Sequence, residues 1–153
     1  MKNILVALDF SEITPQVITT AKELALGMKA KLSIIHIDYL MPFLNQYGIN
    51  HVLALQAFQD QLKKSENYLN SLEEELTQAG IEATCQLVQG TTIDSILHET
   101  EKVTADLVII GAHMHGKLHN LLFGNIHEAI VRQANCPILI VPCHKLRGGY
   151  YAD

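Results

Sequence analysis

Five short apolar runs recur along this chain with helical stretches between them: "NILVAL" (3–8), "KLSIIHI" (31–37), "EATCQLV" (82–88), "DLVII" (106–110) and "PILIVP" (137–142). The first, second, fourth and fifth are nearly continuous in Ile, Leu and Val, the pattern of strands buried on both faces of a covered parallel sheet. The third alternates and is more polar, which places it at a sheet edge.

The intervening segments have helical spacing. Residues 15–29 open on Thr14-Pro15, a cap followed by proline at the first helical position. Val17, Ile18, Ala21, Leu24, Ala25 and Met28 then fall on one face. Residues 51–79 carry Leu55, Phe58, Leu62, Leu69, Leu72 and Leu76 on one stripe, with acids opposite and Gly80 as a stop. Residues 92–103 turn Ile93, Ile96 and Leu97 inward. Residues 119–134 do the same with Leu122, Ile126, Ala129 and Ile130. Strand and helix alternating in this way give an α/β fold of five parallel strands with right-handed crossovers. The expectation is one domain over 1–143 and a flexible tail, "HKLRGGYYAD", over 144–153. Residues 39–50 form a long apolar-aromatic loop, either a packed surface excursion or a lid.

A chain of 153 residues can bury a core of ordinary size. Its formal charge of −5 offers no electrostatic case for nucleic acid or an anionic membrane. Cys85, Cys136 and Cys143 form no CxxC and read as reduced thiols. The N-terminal apolar run is too short for a signal segment, and no later run approaches the ~20 apolar residues of a spanning helix. The expected location is the cytoplasm.

In open parallel sheets a ligand sits beyond the carboxyl ends of the strands, where strand order reverses. The loops expected there are "LDFSE" (8–12) and "GAHMHGKLHNLLFGN" (111–125). Asp9 suits either of two roles, an acceptor for ribose hydroxyls or a helix-entry carboxylate near Ser11. Gly111 and Gly124 bracket a loop and helix start whose free N–H groups suit phosphate oxygens.

The order "ILVALDFSE", "LSIIHID", "VQGTTIDSIL", "ADLVIIGAH…LLFGN" and "ANCPILIVP" resembles the universal stress protein family along nearly the whole chain. The resemblance implies a Rossmann-like, adenine nucleotide alpha hydrolase-like three-layer sandwich with strand order 3-2-1-4-5. It also implies a homodimer through the last strand, Pro137 to Pro142, whose apolar edge needs cover. Many members bind ATP through glycine, two residues, glycine, nine residues, then glycine followed by Ser or Thr. Laid on this chain, the first glycine is Gly111 and the third Gly124. Met114 stands for the middle glycine and Asn125 for the Ser or Thr.

Methionine in place of that glycine removes access to φ > 0 at no cost, a loss of roughly 1–2 kcal/mol. Asn125 is milder, because its amide donates as a hydroxyl would. By the resemblance the adenosine half meets Ala7, Asp9, Ile37, Ile110 and Gly111. The phosphates meet Met114, Gly124, Asn125 and Ile126. The better-kept base and ribose side points to AMP or ADP as alternatives to ATP with Mg²⁺.

His113, His115 and His119 have a metal-like spacing. No Asp, Glu or Cys lies between 111 and 127 to complete a set, so no metal is expected. His36 reads as a core or dimer-adjacent residue. The chain has no G-x-S-x-G, H-E-x-x-H or P-loop, and strand three ends "QLVQG" without the acid of a phospho-receiver. The expected function is that of a non-enzymatic stress-response regulator with a degenerate adenine-nucleotide cleft. The alternative is a stress protein acting through its dimer and partners without nucleotide.

Overall fold

The computed structural model describes residues 2–38, 51–112 and 124–142. The strands are β1 (Asn3–Leu8), β2 (Lys31–Asp38), β3 (Ala83–Gln89), β4 (Leu107–Ala112) and β5 (Ile138–Pro142). Alternating with them are helices α1 (Thr14–Met28), α2 (His51–Gln78), α3 (Thr92–Lys102) and α4 (Gly124–Gln133). The strands are parallel and lie in the order β3-β2-β1-β4-β5. The loop at 39–50, the tail at 144–153 and Cys143 lie outside the described residues.

Strand parity divides the core into two layers, because successive side chains of a strand point to opposite faces. Ile4, Val6, Leu32, Ile34 and Ile109 join Val17, Ala21 and Ala25 of α1 and Leu69, Leu72 and Leu76 of α2. Leu5, Ile35, Val108 and Ile110 face the other way, onto Ile96 of α3 and Ile130 of α4. The sheet is thus the middle layer of three.

Three local expectations change. Thr14 is not the cap of α1. Ile13 holds that position in helical conformation without a side-chain cap, and Thr14 is already in the first turn beside Pro15. Met28 is exposed, because α1 closes through Lys29 in the left-handed region and Ala30 takes the inward place. Leu55 is exposed too. At 1.5 Å per residue, α2 with its 28 residues is about 42 Å long. The seven residues of β3 span only about 23 Å. The buried leucines of α2 accordingly belong to its second half.

The sheet ends differ. Along outer strand β3, the Cys85 N–H donates to Glu73 Oε2 of α2 at 2.6 Å. On β5, at the opposite edge, Ile140 remains 38% exposed. At the amino end of the sheet, Asp106 Oδ2 accepts from Lys2 N at 2.6 Å and Asn3 N at 3.0 Å, tying the start of β1 to the approach of β4.

Candidate nucleotide cleft

The strand order reverses between β1 and β4, and the helices that follow them, α1 and α4, pack on opposite faces of the sheet, which leaves a crevice at the carboxyl ends of these strands. Ala7 pairs in register with Ile110 of β4 and Ile35 of β2. Ile37 is two residues beyond Ile35, so Ala7, Ile37 and Ile110 share one face. A cavity of about 210 Å³ opens there. Its walls include Ala7, Asp9, Ile37, Ile110 and Gly111, with Ile96 and Ile130 below. All five residues assigned from sequence to the adenosine side therefore meet in one cavity.

Beyond the last residue of β1 the chain turns sharply. Asp9 Oδ1 accepts from the backbone N–H of Ser11 at 3.1 Å and from its hydroxyl at 2.5 Å. Asp9 thus takes the helix-entry role read from sequence, closing the turn into α1, and it also lines the cavity. Between the two, Phe10 has φ 55°, a left-handed conformation that costs a bulky side chain roughly 1–2 kcal/mol. Its ring stacks on the His36 imidazole at 3.8 Å and 15°, and meets Tyr68 edge-on at 4.9 Å. Packing offsets the backbone strain and fixes where Asp9 stands.

Gly111 requires a correction. Sequence placed it at the opening of the loop, yet it lies within β4, paired with Val141. A Cβ there would stand 2.9 Å from Ile13 Cγ2 and 3.2 Å from Val17 Cγ2. What glycine permits at this position is the close approach of α1 to the sheet. The backbone still borders the cavity.

His36 and Thr92 also line the cleft, and neither was assigned to it from sequence. His36 Nδ1 lies 2.8 Å from the Leu8 carbonyl, the contact expected if that nitrogen carries the proton. The imidazole braces the end of β1, far from the β5 edge. The only sequence signal for Thr92 was its place directly after the third run, in "VQGTTID". Gly90 leads into it with φ 150°, where a Cβ would lie 2.6 Å from Ser95 Oγ.

Of the residues that the resemblance assigns to phosphates, Gly124, Asn125 and Ile126 form the start of α4, whose first turn holds no acidic residue. The first N–H groups of a helix lack intrahelical partners and favour an anion. Met114, His113, His115 and His119 lie outside the described residues. Among the described residues no cluster of three His, Cys, Asp or Glu could hold a metal ion.

Comparison with known proteins places this geometry. The model of the universal stress protein family matches residues 1–142. Universal stress protein A homolog 1 of Coxiella burnetii is 29% identical over 141 residues, covering 92% of this chain and 95% of that protein. In three dimensions the chain is similar to UspA of Lactobacillus plantarum, with TM-score 0.75 at 15% identity over 92% of this chain and 97% of that one. It is also similar to an Arabidopsis thaliana member with AMP bound, with TM-score 0.62 at 15% identity over 95% and 94% of the two chains. Other solved members of similar fold hold cAMP and dAMP.

Proposed function

The chain belongs to the universal stress protein family, and from that membership we propose that it is a non-enzymatic stress-response regulator that binds an adenine nucleotide in the cleft between β1 and β4. The observation that carries this reading is the meeting of Ala7, Ile37 and Ile110 on one face with Asp9 at its rim. The apolar trio suits the two faces of a purine. The Asp9 carboxylate suits ribose hydroxyls, since an ionised carboxylate accepts at several positions. Similar folds that hold AMP, dAMP and cAMP support a mononucleotide ligand.

The phosphates would run toward Gly124, Asn125 and Ile126 at the start of α4. With Met114 at the middle glycine position, AMP or ADP fits this reading better than ATP with Mg²⁺. We place the functional unit at residues 1–143, with 144–153 as a tail, in the cytoplasm. Two copies would pair through Pro137 to Pro142, covering the exposed Ile140. Among the described residues no helix is long and apolar enough to cross a membrane.

Isothermal titration with AMP, ADP and ATP, with and without Mg²⁺, tests this. Micromolar binding of AMP or ADP is expected, with ATP weaker, and Met114→Gly should narrow the difference by about tenfold. Equal silence from all three up to millimolar concentration would favour the second reading. That reading is a stress protein acting only through its dimer and partners, to which Met114 and the apolar β5 edge point.

A further inference from the structure

The cleft has a far side, toward β3, that no assigned nucleotide contact reaches. Across the carboxyl ends of the sheet the strands run β3, β2, β1, β4. Asp9 follows β1, Ile37 lies near the end of β2, and α4 begins on the β4 side. With a ribose on Asp9 and phosphates toward α4, a base extends the opposite way, over Ile37 toward β3. The cavity wall there is Thr92.

Local structure brings Thr92 to that place. Val88 of β3 pairs with Ile37, and the chain then turns at Gly90. A Cβ on Gly90 would crowd Ser95 Oγ, so glycine lets the turn close against α3 and start that helix at the cavity. The two threonines of the turn differ. Thr91 Oγ1 donates to Asp94 Oδ2 at 2.5 Å, whereas Thr92 lines the cavity.

Among the described residues, Asp9, His36 and Thr92 are the cavity-lining residues whose side chains form hydrogen bonds. His36 has the parity of Ile34, which faces α1 and α2, and its ring stacks on Phe10, packed against that same core. Asp9 and Thr92 are therefore the two polar ends of an otherwise apolar cleft. Strands β1 and β3 lie two spacings apart, about 10 Å, a span for a base beyond the ribose.

We propose, resting on the nucleotide reading of this cleft, that Thr92 is the residue that selects the base. The 6-amino group of adenine donates and Thr92 Oγ1 accepts, since a hydroxyl carries two acceptor lone pairs.

Calorimetry with AMP and with purine riboside 5′-monophosphate, which lacks only the 6-amino group, tests this on wild type, Thr92→Val and Thr92→Ser. Wild type should prefer AMP about three- to tenfold, the size of one neutral hydrogen bond. Thr92→Val should lose that preference by weakening AMP alone, and Thr92→Ser should keep it. Unchanged affinity of Thr92→Val for purine riboside 5′-monophosphate, with a native circular dichroism spectrum, shows that the cleft is intact. A preference that survives in Thr92→Val, or is missing from wild type, would overturn the role of Thr92 and leave the nucleotide reading standing. No binding of either nucleotide by wild type would overturn both.

Discussion

At the scale of single residues, the cleft depends on a turn that does two jobs. Asp9 spends one oxygen on Ser11, and strained Phe10 holds that carboxylate at the mouth of the cavity. Asp9→Ala should therefore weaken AMP at least about tenfold by calorimetry, a loss typical of a charged hydrogen-bond partner. Ala7→Phe should block binding by filling the apolar floor while circular dichroism stays native. Gly111→Ala should lower stability by about 1–3 kcal/mol in urea titration, because the methyl group meets Ile13 and Val17 of α1. Gly111 also marks where sequence reading stops. Its place in "VIIGAH" was visible, but Ile13 is nearly a hundred positions away in the chain, and only the packed fold shows that α1 demands the glycine. His36 was missed for a related reason: an imidazole inside an apolar strand carries no sign of which carbonyl it braces.

At the scale of elements, the apolar runs located all five strands to within two residues: β1, β2 and β4 gave near-continuous Ile, Leu and Val because they are buried in the sheet, whereas half-buried β3 gave an alternating signal. Helix faces were less legible where a helix outruns the sheet beneath it, as at Leu55, or closes early, as at Met28. The tether from Asp106 to β1 had no sequence signal at all. Its backbone hydrogen bonds from Asn3 and Lys2 hold the carboxyl below its usual 3.8. A lowered folded pKa gives stability that is present above 3.8 and lost as pH falls through the folded value. Urea midpoints should thus fall on acidification below pH 4, with a shallower fall in Asp106→Asn. Cys85 behaves oppositely. Burial, then Glu73, pushes its thiol from 9.0 to about 12. Its contribution is complete below pH 9 and lost as pH rises toward 12, and iodoacetamide at pH 9 should label Cys85 in urea far faster than in the native protein. At β5, Ile140→Glu should give a monomer in sedimentation if the proposed pairing through that strand holds, since a buried unpaired charge opposes association.

At the scale of the whole molecule, alternation of strand and helix led to a doubly wound sheet, and its switch point coincides with the cavity that gathers Ala7, Asp9, Ile37, Ile110 and Gly111. That coincidence is geometric. The site is assembled from the ends of three strands and from helices α3 and α4, so no local stretch of sequence contains it. Family resemblance supplied the residue assignments, and parity along the strands explains why they share a face. The proposed phosphate side rests on Gly124 to Ile126 and on the sequence at Met114. The central claim is that an adenine mononucleotide occupies this cleft. A crystal structure of the full chain grown with AMP tests it most directly. The account predicts the purine between Ile37 and Ile110 above Ala7, with the ribose hydroxyls on Asp9. An empty cleft at saturating AMP, or AMP bound elsewhere on the surface, would contradict it.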